Sequence, residues 1–251
     1  MSTNSVDILK NSFGILKTDV GQKLVGLFLL IQALNFGSTY LMQELSMTTI
    51  PALLSIAGGL LSVIVTIGGL RSLRDEEFDI ENFKQNLVWP FGRIAGANIV
   101  SVIFAYLVAL IFIGPAALAA LTSGVSSVAG LTGASAGVLA LGGLGAILGV
   151  AAFIYVSVTL ILAQPFVAID NMRMFEALDN SIQSTKGNRL NIFITFLGYG
   201  LANLTLGVIF GLIALFGPQI VADALVTIVI GSVMAPVGLK ILEEFSRELE
   251  P

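Results

Sequence analysis

The residues of this sequence that could do chemistry fall into two sets, and the first is five uncharged amides within long apolar stretches. They are Gln32, Asn35, Asn98, Gln164 and Asn203. Polar groups are costly in hydrocarbon and often line a transport pathway, but amides also hydrogen-bond across packed helices. We therefore predict that these five residues serve in helix packing or line a pathway.

The second set is charged and follows the longest apolar run. Asp170, Arg173, Lys186 and Arg189 form a candidate cluster at the inner membrane interface. A carboxylate beside arginines could act on a lipid, which would make this cluster the centre of an intramembrane lipid enzyme. No Asp, Glu, Lys or Arg falls near the middle of an apolar stretch, which argues against a proton-coupled pump or a voltage sensor.

Several kinds of site are excluded by residue types that are missing. The chain has no His and no Cys. Disulfides, imidazole or thiolate metal sites, and Ser–His or Cys nucleophiles are therefore excluded. From these gaps we predict no catalytic residues, no cofactor and no metal.

The fractions of hydrophobic and charged residues predict which kind of structural element positions these residues. The 251 residues are 56% hydrophobic and 11% charged, and the mean hydropathy is +0.95. A soluble domain is roughly 45–50% apolar and about 25% charged. Composition therefore excludes a soluble enzyme, a nucleic-acid binder and a disordered chain, and it predicts an all-α membrane protein whose main partner is the bilayer.

Apolar length predicts six membrane-spanning helices, since one span needs about 20 apolar residues. Residues Ala116–Ala136, between the third and fourth spans, are rich in small residues. They are interpreted as an outer loop, a re-entrant segment or an outward extension of the fourth helix. The predicted spans are Leu24–Met42, Thr48–Leu70, Ile94–Pro115, about Gly137–Ala163, Leu190–Phe216 and Gln219–Leu239.

The placement of basic residues predicts the orientation. All 12 Lys and Arg lie before the first span, after the last, or in the connections that follow the second and fourth spans. Only Glu44 and Asp223 carry charge in the other connections. The positive-inside rule then places both termini in the cytoplasm and the chain in the plasma membrane.

An internal repeat is predicted within this single membrane domain, residues 1–251. Three short segments carry apolar residues at i, i+3 and i+7, as in Val6, Leu9 and Phe13, which is typical of a short interfacial amphipathic helix. Asn11-Ser12 also aligns with Asn180-Ser181 at an offset of 169. We predict three parallel hairpin units, at about 5–75, 79–170 and 174–244, each beginning with such a helix.

A family resemblance lies around the fourth and fifth spans. The chain reads Ala163-Gln-Pro-Phe-Val-Ala-Ile-Asp170, then Phe175-Glu-Ala-Leu-Asp-Asn-Ser181, then Thr185-Lys-Gly-Asn-Arg189. This resembles prokaryotic six-helix membrane proteins related to the membrane domain of glycerophosphodiester phosphodiesterases. The phosphodiesterase domain of that family is a separate soluble module, so the resemblance implies a membrane module without that activity. The low isoelectric point and the lack of Cys suit a haloarchaeal source.

Three functions are weighed against each other. The first is a non-enzymatic scaffold, envelope or membrane-organising protein. The alternative is a transporter or permease-like subunit for a small or lipid-like substrate, and the lipid enzyme described above is the third. A cytoplasmic protein partner would dock through Arg71–Arg93, Arg173–Arg189 and the C-terminal tail, and the oligomeric state stays open.

Overall fold

The structure is a computed structural model that describes residues 4–44, 46–84, 88–122, 136–214 and 219–249. Within these ranges the chain is mainly helical and contains no strand. Six helical stretches are long and apolar enough to cross a membrane. The prediction of an all-α, six-span membrane protein is confirmed.

The helices have the following bounds. They are α1 (Ser5–Gly14), α2 (Asp19–Gln43), α3 (Thr49–Arg74), α4 (Glu81–Lys84), α5 (Val88–Thr122), α6 (Ala136–Leu160), α7 (Ala163–Ala168), α8 (Met174–Thr185), α9 (Arg189–Ala214), α10 (Gln219–Ala224) and α11 (Gly231–Glu248). A 3₁₀ turn, Ile15–Lys17, follows α1, and a π-helical segment, Leu225–Ile230, joins α10 to α11.

We call the end of the bundle that holds α1, α4 and α8 the inner end, and the opposite end the outer end. The spans are α2, α3, α5, α6 with α7, α9, and the sixth helix formed by α10, the π-helical segment and α11. Each predicted span falls within one of these helices, except at the ends.

The segment Ala116–Ala136 is divided between two helices and a part outside the described residues. Residues 116–122 continue α5, whereas α6 begins at Ala136. Within the described residues the third span therefore extends outward to Thr122, because residues 116–122 are mainly Ala and Leu, which are good helix formers. Residues 123–135 lie outside the described part of the chain.

The packed core lies at the inner end. Its largest fully buried side chains include Leu24 on α2, Ile67 on α3, Phe166 on α7 and Phe245 on α11. Helix α11 packs against α1, α2, α3, α7 and α9. The outer halves of the spans expose large apolar side chains instead, as expected for helices that face lipid.

The short inner helices lie beneath hairpins formed by other parts of the chain. Helix α4 packs against α3, α8 packs against α5 and α6, and α1 packs against α9 and α11. At the last contact, Ser5 Oγ donates to Asn191 O at 3.0 Å. Each short helix thus packs on a hairpin other than the one that follows it; the three parallel units stay a prediction.

Candidate functional site

The residues that carry the family resemblance, which we call the signature, build a joint at a break in the fourth span. They are Ala163–Asp170, Phe175–Ser181 and Thr185–Arg189. Helix α6 ends at Leu160 and α7 begins at Ala163, with Pro165, which has no N–H, in the first turn. The carbonyl of Thr159 at this break accepts hydrogen bonds from two buried hydroxyls on α8. Ser181 Oγ donates at 2.7 Å and Thr185 Oγ1 lies at 3.4 Å.

The rest of the signature turns the chain into α9. Gly187 has a φ of +91°, in the left-handed region that glycine adopts without steric cost. Arg189 then begins α9, donates to the Tyr155 hydroxyl and places its guanidinium carbon 4.7 Å from the centre of that ring. The signature therefore fixes α8 between α6 and α9.

The four charged residues predicted as one cluster are spread around α8. Arg173 caps its N-terminus and Lys186 its C-terminus, about 20 Å apart at 1.5 Å per residue. Both side chains are exposed, as is Asp170, whereas Arg189 packs on Tyr155. Helix α8 thus keeps Arg173 away from Lys186 and Arg189.

Two arginines from earlier spans hold the chain that leads into α8. Arg71 Nε donates to Ala168 O at 2.8 Å. Arg93 Nη1 donates to Asn171 O at 2.7 Å and to Asn171 Oδ1 at 3.0 Å. These contacts use arginines of the Arg71–Arg93 segment to fasten α7 to the bundle.

Two of the predicted amides bond to each other and a third bonds within its own helix. Gln164 donates to Asn98 Oδ1 at 2.7 Å, which joins α7 to α5. Asn203 donates to Tyr199 O of α9 at 3.3 Å.

The other two amides lie against glycines of neighbouring helices. A Cβ on Gly58 would lie 2.5 Å from Asn35 Oδ1, and one on Gly231 would lie 2.8 Å from the Gln32 side chain. These glycines let α2 approach α3 and the sixth helix closely.

A buried ion-pair network ties α3 to α11, and the sequence reasoning did not identify it. The fully buried Glu243 lies 2.6 Å from Lys240 Nζ and 3.6 Å from Arg74 Nε. Lys240 also pairs with Glu244 at 3.0 Å. The i, i+3 and i, i+4 spacing of Lys240, Glu243 and Glu244 could have predicted the ion pairs within α11.

A polar cleft lies at the outer end between α2 and the sixth helix. Its volume is about 790 Å³, and Glu44 and Asp223, the two acidic residues of the outer connections, both line it. Asn35 lines its floor, about 12 Å along α2 from Gln43. The other lining residues are Phe36, Thr39, Tyr40, Gln43, Ile220, Val226 and Thr227.

Further inward than the residues that line the cleft, the helices are packed. Phe28 and Ile31, further inward on α2, are buried, and so is Met234 on α11. Val226 and Thr227 belong to the π-helical segment, a geometry that often occurs at functional sites. Among the described residues, no group of three or more acidic side chains is placed to hold a metal ion.

The stretch from α6 to α11 also matches a known family. Residues 139–247 match the family model described as the membrane domain of glycerophosphoryl diester phosphodiesterase. The chain is a multi-pass membrane protein in which this stretch is similar to that domain. No curated protein and no solved structure matches the chain.

The match to the membrane domain covers the α6–α8–α9 joint and the residues of α11 that form the ion-pair network. It covers one wall of the outer cleft, on the sixth helix, and not the wall formed by α2. The inner-end joint therefore lies within the region that is similar to the membrane domain. The complete cleft needs the first span as well.

Proposed function

We propose that this protein is a non-enzymatic component of the plasma membrane that organises the envelope or acts as a scaffold, with both termini in the cytoplasm. The proposal rests on the polar groups at the inner end, which hold helices together. Ser181 and Thr185 bond to the Thr159 carbonyl, and Lys240 pairs with Glu243. Groups fixed in this way support a rigid platform better than a reacting centre.

The platform offers a cytoplasmic partner two exposed regions. Acidic side chains at Asp75, Glu76 and Glu77 are exposed after α3, and basic side chains at Arg173 and Lys186 are exposed at the ends of α8. The C-terminal tail contributes less, because its apolar stripe, including Ile241 and Phe245, is buried against the bundle. We infer that a partner docks on the segments Arg71–Arg93 and Arg173–Arg189.

Site-specific photocrosslinking in native membranes tests the scaffold. A photoreactive residue at Glu77 or Lys186 should give a protein adduct of defined mass, whereas one at Gly59, an exposed glycine on α3, should give lipid adducts only. Vesicles that contain the purified protein, phospholipids and glycerophosphodiesters should show no new phosphorus resonances over time. Turnover of any of these phosphodiesters would overturn the non-enzymatic proposal.

A transporter or permease-like subunit is the second candidate, and the outer cleft favours it. The cleft reaches Asn35 from the outer end and carries two carboxylates, which suits a small cationic or zwitterionic substrate with an apolar part. Further inward than Asn35, the buried Phe28 and Ile31 of α2 correspond to a pathway closed on the inner side. Alternating access would then require these helices to separate at the inner end.

Cysteine accessibility distinguishes a transporter from a static binding cleft, because the natural chain has no Cys. A membrane-impermeant maleimide should label Asn35→Cys from the outer side. The control is Asn203→Cys, which should not be labelled, because Asn203 bonds within its own helix and does not line the cleft. A transporter also predicts labelling of Asn35→Cys in inside-out vesicles. Labelling from the outer side alone would remove the transporter candidate.

A further inference from the structure

A lipid-facing groove lies between α6 and α9, directly outward of the signature joint. Its volume is about 470 Å³. Apolar side chains from both helices line it, among them Phe153 and Ile154 on α6 and Phe193 and Phe196 on α9. Gly200 forms part of the α9 wall, and a Cβ placed on it would meet no atom within 4 Å. The groove thus has the lining and the free space to hold an acyl chain.

The inner end of this groove carries an unusual cation. Arg189 precedes Phe193 by four residues and Gly200 by eleven, so it lies on the same face of α9 as the groove-lining residues. Its Nε is buried without a hydrogen-bond partner. Among the described residues, its side chain has the Tyr155 hydroxyl as hydrogen-bond acceptor and no carboxylate in an ion pair.

The corresponding cations of the other two hairpins are compensated differently. Lys23, near the start of α2, pairs with Asp19 at 2.5 Å. Arg93, near the start of α5, donates to Asn171 O at 2.7 Å and to Asn171 Oδ1 at 3.0 Å. A phenol hydroxyl and a ring face compensate a guanidinium less well than a carboxylate or several carbonyls. Arg189 is therefore a partly buried charge that still requires an anion.

We propose that the α6–α9 groove binds an anionic phospholipid from the inner leaflet. The phosphate would accept hydrogen bonds from the Arg189 guanidinium, and one acyl chain would lie along Phe193 and Gly200. The exposed Lys186, three residues before Arg189, adds positive charge on the aqueous side. Basic pockets between spans on the cytoplasmic side suit such head groups, because phosphate oxygens match the guanidinium donors. This inference goes beyond the proposed function and rests on it only for the orientation, with both termini in the cytoplasm.

Native mass spectrometry of the purified full chain tests the head-group contact. The probes are dioleoyl phosphatidylglycerol, dioleoylglycerol, which lacks the phosphate, and glycerol 3-phosphate, which lacks the chains. Phosphatidylglycerol should bind at one site per chain, and Arg189→Gln should weaken binding about tenfold or more. Arg173→Gln, which removes an exposed cation at the far end of α8, is the matched control and should bind like the wild type.

A second pair of variants tests the acyl chain and stays informative if Arg189→Gln folds poorly. Gly200→Phe places a ring in the groove from a Cβ position that meets no atom within 4 Å, and it should also weaken phosphatidylglycerol binding about tenfold. Gly59→Phe adds the same side chain to an equally open, exposed glycine on α3 and should have no effect.

Three results would overturn the site. They are wild-type affinity in both the Arg189 and the Gly200 variant, equal binding of dioleoylglycerol, and binding of glycerol 3-phosphate as tight as that of the lipid. The last result would identify a site for free phosphate esters rather than for a lipid.

Discussion

Replacing Ser181 with alanine is expected to destabilise the protein, because it removes the main donor to the Thr159 carbonyl. The Ser181 hydroxyl donates at 2.7 Å in a buried site. The Thr185 hydroxyl is a weak substitute, since it lies 3.4 Å from that carbonyl but 2.7 Å from Ser181 O on its own helix. A hydroxyl has a single hydrogen to donate, so Thr185 serves Thr159 only by giving up its shorter bond.

These distances set the expected free energies of unfolding. A buried acceptor that loses its donor costs about 1–3 kcal/mol, so Ser181→Ala should cost about 1–2 kcal/mol with Thr185 as partial compensation. Thr185→Val removes only the longer bond and keeps the side-chain shape, and it should cost about 0.5 kcal/mol. The double variant should cost about 2–3 kcal/mol, more than the sum, because the last hydroxyl donor is then lost.

Ser184→Ala is the matched control for this prediction. The Ser184 hydroxyl is buried on the same helix but has no hydrogen-bond partner in the described part of the chain, so its removal should leave stability unchanged or slightly higher. Unfolding of the detergent-solubilised protein by sodium dodecyl sulfate, followed by far-ultraviolet circular dichroism, measures all four variants. Equal losses for Ser181→Ala and Ser184→Ala would refute the assignment of the signature to a structural joint.

Three further predictions concern other parts of the molecule. Gly187→Ala should lower the free energy of unfolding by about 1 kcal/mol in the same titration, because its φ of +91° strains any Cβ; an unchanged value would contradict this. Glu243→Gln should lower the thermal midpoint more than Glu248→Gln, since Glu243 is buried among cations and Glu248 is exposed on the same helix; equal shifts would count against the network. For orientation, an impermeant maleimide should label Ser123→Cys in intact cells and Asn82→Cys only after lysis, and the reverse pattern would invert the topology.

Apolar length was sufficient to predict the six spans, because each must satisfy its backbone within hydrocarbon. The helix ends were less predictable. The third span continues from Pro115 to Thr122, since residues favourable for a helix extend past the apolar minimum. The length of an apolar stretch shows that it can cross the bilayer, but it does not show at which residue the helix ends.

The arrangement of polar groups depended on which helices are neighbours, and sequence periodicity does not contain that information. The spacing of Ser181 and Thr185 places both on one face of α8, but their acceptor, the Thr159 carbonyl, becomes evident only once α8 is seen beside the break in the fourth span. The outer cleft is similar. Glu44 and Asp223 are far apart in sequence and line one cavity only because the first and sixth spans are adjacent.

The position of α1 has a consequence for how the protein is made. This helix is synthesised before the six spans, yet it packs against α9 and α11, which are synthesised after the fourth span. A ribosome that has completed four spans therefore holds a chain whose N-terminal helix has no docking surface. Closure of the bundle becomes a late event that joins α1 to α9 and α11, and a nascent chain truncated before α9 would present α1 to quality-control factors.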